Sequence, residues 1–185
     1  MQVEIRELVD AARHGDREAF EALVRAGSGR LYAIAYRILR DADLANDALQ
    51  EALVRIWDDL PTLRDPDRYD PWTYRLTCRA CYRVARHERR AALAPLVEPS
   101  AQEPSAFVSE IADHDEMERA FRRLSPEHRT VLVLHYYLGL TIGEVAETLQ
   151  ISPGTVGSRL HYAMRSLRAA LESEARSTEA MERSR

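Results

Sequence analysis

The chain has 185 residues, enough for one ordinary domain or two small ones, and its 45% hydrophobic and 30% charged content is that of a globular protein. Its most apolar stretch, 131–140, is broken by His135 and falls short of the ~18 to 20 apolar residues of a spanning helix. Glu4 and Glu7 stand where a signal peptide would be basic and then apolar, and two cysteines cannot make a disulfide scaffold, so no membrane insertion and a cytoplasmic protein are expected.

Few glycines or prolines interrupt the periodic segments, and no stretch alternates long enough to be a strand, which makes the fold class all-α. Phe20, Leu23 and Val24, then Leu31, Ile34, Ala35 and Ile38, predict two helices joined near Gly27-Ser28-Gly29. Asp41 or Asp43 can cap a third helix, whose stripe of Leu49, Leu53, Ile56 and Leu60 stops at Pro61. Residues 65–71 read as a loop, and a fourth helix covers 72–90. The pattern then dissolves into Ala, Pro, Ser and Glu, with Pro95, Pro99 and Pro104 at short intervals, which reads as a flexible acidic linker over 91–112 between two small helical domains, 1–90 and 113–171. In the second domain Ser125-Pro126 supplies a cap and a first-turn proline, Gly139 a stop, and Thr141 with Glu144 a capping box. Helices are predicted over 126–138, 142–149 and 153–171, and the polar tail 172–185 is expected to fray.

The net charge of −4 hides an uneven distribution: 16 acids and 16 arginines in 1–90, five acids and no base in 91–115, nine acids and 10 arginines in 116–185. Every basic residue is arginine, whose planar fork suits bidentate contacts to phosphate or base edges. Four groups of residues could carry function. The two short helices over 141–160 form a helix-turn-helix, with Ile142, Val145, Ala146, Leu149, Ile151, Val156 and Leu160 as its packed face. Gly154, Thr155, Gly157, Ser158, His161 and Tyr162 then face outward, as a helix does in a DNA major groove, although a plain helical hairpin has the same pattern. In the fourth helix Arg75, Arg79, Arg83, Arg86 and Arg90 fall within an arc of roughly 80°. Tyr69, Trp72, Tyr74 and Tyr82 lie beside them, a pairing of cations with stacking surfaces that suits single-stranded or unstacked DNA. The alternative is a solvated arginine face over aromatic core residues. On the third helix Asp47, Gln50, Glu51, Arg55 and Asp58 accompany an apolar rim of Leu53, Val54 and Trp57, either a docking face for a helical partner or an ordinary solvent face. Cys78 and Cys81 are formally a C-x-x-C pair, but no second ligand pair and no preceding strand accompany them, so two small core residues are the better reading. No metal, cofactor or catalytic constellation is expected.

Taken together these segments resemble the extracytoplasmic-function (ECF) group of bacterial RNA polymerase sigma factors, within the sigma-70 family. The resemblance covers about 15–171 and rests on the run from Asp43 through Asn46, Asp47, Gln50, Glu51 and Arg55 to Trp57, on Trp72-Thr73-Tyr74-Arg75-Leu76, and on Leu124-Ser125-Pro126-Glu127-His128-Arg129 with the helix-turn-helix after it. It implies that Asp47, Gln50, Glu51, Leu53, Val54, Arg55 and Trp57 bind the beta-prime clamp helices of core RNA polymerase. It also implies that the loop from Asp65 to Pro71 and the helix after it melt and read the minus-ten element of promoter DNA, through Tyr69, Trp72, Tyr74, Arg75, Arg79, Tyr82, Arg83, Arg86 and Arg90. Gly154, Thr155, Gly157, Ser158, Arg159, His161 and Tyr162 correspond to the reader of the minus-thirty-five element, in a domain that also meets the beta flap. The linker would thread toward the active-site path of the polymerase, and an anti-sigma factor is an implied partner; such a protein would be cytoplasmic, and at the nucleoid when bound to polymerase. Gly157, Tyr162 and Met164 depart from the family's basic residues, whereas Arg79 and Arg83 replace its frequent Asn and Asp. Promoter affinity is therefore expected to lean on the first domain. Two other readings are a DNA-binding activator that works without core polymerase and a thiol enzyme using Cys78 and Cys81.

Overall fold

A computed structural model describes residues 2–93 and 112–182, in which all regular structure is helical. The first module comprises α1 (Gln2–Arg13), α2 (Arg17–Leu39), α3 (Ala42–Asp59) and α4 (Tyr69–Leu93), with short 3-10 turns at Leu60–Thr62 and Pro66–Arg68. The second comprises α5 (Ala112–Arg122), α6 (Pro126–Leu132), a π turn over Val133–Tyr137, α7 (Ile142–Leu149) and α8 (Pro153–Glu182). Helix starts are fixed by side chains that satisfy otherwise orphaned backbone donors. Asp16 accepts from the Ala19 N–H (3.0 Å), Asp41 from Leu44 (2.9 Å) and Ser125 from His128 (3.3 Å). Both halves of the capping box form: the Glu144 N–H donates to Thr141 Oγ1 (3.2 Å), and the Thr141 N–H donates to Glu144 Oε2 (2.8 Å).

Several boundaries differ from the sequence expectation. Residues 17–39 are one helix, unbroken at Gly27-Ser28-Gly29. Phe20, Leu23, Leu31, Ile34 and Ile38 stay in phase across the glycines, so the buried stripe that packs on α3 and α4 carries the helix through them. The buried stripe of α3 is Ala45, Ala48, Ala52 and Ile56, with Leu49 and Leu53 only partly buried. Alanines here let α2 and α4 approach closely. Helix α4 starts at Tyr69, inside the expected loop, and continues through 91–93 into the expected linker. Residues 94–111 of that linker lie outside the described residues. α8 extends as helix to Glu182, well into the tail expected to fray. Ile142, expected in the packed face, is 41% exposed, and Thr148 takes its place inside at 4%.

The helices of the second module close around Val131, Leu134, Val145, Val156 and Ala163, all fully buried. The two modules also pack on each other, α2 and α4 against α6 and α4 against α7. The nearly buried Arg129 of α6 crosses this seam and donates from Nη1 to the Leu39 carbonyl at the end of α2 (3.3 Å). It satisfies a helix C-terminus from the opposite module.

Candidate nucleic-acid interface

Helix α4 turns its small residues Cys78, Ala80 and Cys81 inward, all at 0% exposure, which leaves its arginines on the outer side. Arg79, Arg83, Arg86 and Arg90 are exposed along that side, and Arg75 is half-buried at the start of the stripe. The buried Arg75 Nε has no hydrogen-bond partner, and burial, then the like charge of Arg79, lowers its pKa while Asp59 opposes the shift. Arg83 pairs with Glu51 of α3, which ties the arginine stripe to the acid-bearing helix.

The aromatic residues sit deeper than an exposed stacking row. Trp72 is 8% exposed and forms a wall of a cleft of about 330 Å³, with its ring centroid 6.2 Å from that of Tyr69. Tyr74 is buried, and its hydroxyl accepts from Arg30 Nη1 (3.1 Å); burial pushes its pKa up against that contact. Burial likewise raises the pKa of Tyr69, with Asp70 adding to the shift, and of Tyr82, with Cys78 adding to it. Sequence reasoning misses Arg30 and Arg64, and takes Arg68 only as part of the 65–71 loop. Arg64 and Arg68 lie four residues apart on either side of Asp65-Pro66, a spacing that could have singled out both arginines. Both line the cleft beside Trp72 and Arg75.

In the helix-turn-helix, the turn is made by Gln150 in the left-handed region (φ 57°), followed by Ser152, whose Oγ accepts from the Thr155 N–H (3.0 Å) to cap α8. Gly154, Ser158, His161 and Tyr162 are exposed, with Tyr162 at 54%, and Thr155 and Gly157 are half-buried. Arg159 is half-buried near Tyr82 and Glu127, on the side of α8 toward the seam. On α3, Asp47, Gln50 and Arg55 border the strip, Glu51 and Leu53 are half-buried, and Val54 and Trp57 leave 60% and 38% of their surface in solvent. Trp57 rests edge-on against Phe20, with ring centroids 4.7 Å apart. This acid-flanked apolar strip is open to a partner.

Cys78 and Cys81 are unpaired and buried. Burial holds both thiols protonated, Cys81 at a pKa of about 12, far from the depressed value a nucleophile needs. Among the described residues no helix is long and apolar enough to cross a membrane, and no three His, Cys, Asp or Glu side chains converge as a metal site.

Residues 23–91 match the family model Sigma-70 region 2, and residues 114–167 match that of Sigma-70, region 4. The chain is 33% identical over 178 residues to the ECF RNA polymerase sigma factor SigL of Mycobacterium tuberculosis, covering 89% of this chain and 95% of SigL. Its fold is similar to that of CnrH in complex with the cytosolic domain of CnrY (TM-score 0.66, 24% identity, 92% of this chain and 98% of that one). It is also similar to the sigma factor RpoE bound to the anti-sigma factor NepR from Bartonella quintana (TM-score 0.64, 21% identity, 83% and 96%). With the two sigma regions in order along the chain, every regular element among the described residues helical, and a relative matched over nearly its whole length, the chain belongs to the ECF group of the sigma-70 family of RNA polymerase sigma factors.

Proposed function

We propose that this sigma factor divides its work along the two modules: residues 1–90 engage core polymerase and the minus-ten element, and residues 113–171 engage the minus-thirty-five element and the beta flap. The observation that carries the polymerase contact is the exposed Val54 and Trp57 strip, bordered by Asp47 and Gln50, on the outer face of α3. A helical partner with basic and apolar side chains, such as the beta-prime clamp helices, fits it by shape and charge. Helix α4 then holds the melted strand: Arg79, Arg83, Arg86 and Arg90 on its outer side meet phosphates, and the cleft walled by Trp72 receives an unstacked base. Exposed Ser158, His161 and Tyr162 on α8 read duplex DNA in the major groove. The chain supplies specificity and no chemistry of its own, and it acts in the cytoplasm, at the nucleoid when polymerase-bound.

An anti-sigma factor is the proposed inhibitor. Support comes from a cleft of about 540 Å³ at the seam, where Tyr136, Tyr137, Met117 and Met164 are exposed at 64%, 46%, 44% and 38%. Such an apolar groove accommodates an amphipathic helix. The test is run-off transcription with purified core polymerase over a genomic fragment library, which reads activity and promoter sequence together. Trp57→Ala with Val54→Asp is expected to abolish co-purification with core enzyme and transcription. A protein that binds promoter fragments alone and never associates with core polymerase would be an activator instead.

A further inference from the structure

A second cavity, of about 360 Å³, lies among the four helices of the first module and shares no lining residue with the cleft beside Trp72. Ile5 and Leu8 of α1, Leu23 of α2, Leu53 of α3 and Tyr69 of α4 give it aliphatic and aromatic walls. Gly27 of α2 lines it as well, and a Cβ added there meets nothing within 4 Å. Glycine inside a helix is destabilising relative to alanine. The space beside Gly27 is therefore held open at a cost to α2, where a larger apolar residue would have closed the core.

Three polar groups interrupt the apolar lining at one end. Tyr74 is only 6% exposed, and its hydroxyl accepts from Arg30 Nη1 (3.1 Å), while its own proton meets no acceptor among the described residues. One buried donor is thus left for an occupant of the cavity. At the rim Arg30 also faces Asp70 (3.7 Å), and both side chains are exposed. Cation and anion offset each other there, so a charged head group meets one favourable partner and one unfavourable one. An amide or a hydroxyl suits all three groups, since it accepts from Tyr74 and Arg30 and donates to Asp70.

We propose that the first module carries a binding site for a small uncharged amphipathic molecule, its apolar body beside Gly27 and its amide or hydroxyl head at Tyr74, Arg30 and Asp70. The volume and the lining, mostly apolar with a few placed polar groups, are those of a small-molecule site. Entry takes the apolar body out of water and gives the Tyr74 proton an acceptor. Because the walls come from all four helices, the occupant binds the folded module and raises its stability.

The test uses the full chain with four probes of similar length: 1-octanol, N-hexylacetamide, octanoate and octylammonium. Binding is read from saturable shifts of labelled leucine and valine methyl groups and from the melting temperature. The two uncharged probes are expected to bind more tightly than the two ions and to raise the melting temperature. Gly27→Leu, which fills the open space, is expected to abolish binding, and Tyr74→Phe to weaken it about two- to tenfold, the loss of one hydrogen bond. No saturable binding by any probe, unaltered binding by a folded Gly27→Leu chain, or a preference for either ion overturns the proposal. Should Gly27→Leu fail to fold, Tyr74→Phe decides, and unchanged affinity for the uncharged probes overturns it. The assay contains neither polymerase nor DNA, so its outcome is independent of the promoter reading.

Discussion

Two residues take left-handed backbone at the ends of second-module helices, and their chemistry predicts opposite responses to substitution. Gly139 (φ 73°) lets the chain leave the π turn while the Leu138 and Leu140 N–H groups donate to the Val133 and Leu134 carbonyls, each at 3.1 Å. A β-branched side chain there meets the left-handed penalty in full, so Gly139→Val is expected to cost about 1–2 kcal/mol, seen as a lower urea midpoint. Gln150 (φ 57°) already carries that penalty in the turn of the helix-turn-helix. Gln150→Gly is therefore expected to stabilise by up to about 1 kcal/mol in the same assay. A fall in the midpoint would show that the hydrogen bond from Arg79 Nη2 to Gln150 Oε1 (2.9 Å) outweighs the strain. The two thiols give a different residue-level expectation. Cys78 and Cys81 are buried with raised pKa values, so an aromatic disulfide reagent should label them only as fast as the protein unfolds. Rapid labelling of the native chain would revive a thiol chemistry that the burial now opposes.

Among the elements, α2 shows why one boundary departs from the sequence expectation. Glycine pairs ordinarily punctuate helices, yet Leu23, Gly27, Leu31 and Ile34 continue a single face, and burial of that face outweighs the cost of two glycines. A Cβ added at Gly27 or Gly29 meets nothing within 4 Å. Gly29→Ala is thus expected to raise stability by about 0.5–1 kcal/mol; a decrease would mean that the helix needs flexibility there. Caps are legible because their chemistry is local: Asp41, Ser125 and Thr141 each act within three residues of themselves. The Thr141 and Glu144 box carries a pH signature as well. Hydrogen bonds from the Thr141 backbone and hydroxyl lower the Glu144 pKa below its unfolded value. Its stabilisation is then complete above the ordinary carboxylate range and is lost as pH falls through the lowered pKa. Glu144→Gln should flatten that part of the acid-unfolding profile while leaving the neutral side unaffected by pH. An acid limb identical to that of the unaltered protein would remove the carboxylate from the cap's energetics.

For the molecule as a whole, what sequence reveals about the site follows the range of the interactions. The α4 arginine stripe and the α3 strip are visible because helical spacing alone brings Arg79, Arg83, Arg86 and Arg90, or Val54 and Trp57, to one face. The seam is not visible, since Arg68 meets Glu147 across 79 positions and Arg129 meets Leu39 across 90. Nor does spacing reveal that Trp72 and Tyr74 are walls while Tyr162 is exposed, because aromatic residues suit a core and a nucleic-acid surface equally. On the proposed reading, charge placement divides the binding energy between the modules. The exposed recognition-helix positions Gly154, Ser158 and Tyr162 carry no cation, whereas the outer side of α4 carries Arg79, Arg83, Arg86 and Arg90. Most counterion release on promoter binding should then come from the first module. In polymerase holoenzyme, Arg83→Ala with Arg86→Ala is expected to weaken open-complex formation and to reduce the slope of log K against log salt by about 0.7 for each single-strand phosphate no longer neutralised. Ser158→Ala, which removes a hydroxyl and no charge, should alter affinity for particular duplex sequences and leave the slope unchanged. If the arginine pair could be removed with open complexes intact while changes at Ser158 and Arg159 abolished them, affinity would reside in the helix-turn-helix after all, and the arginines of α4 would be a solvated face.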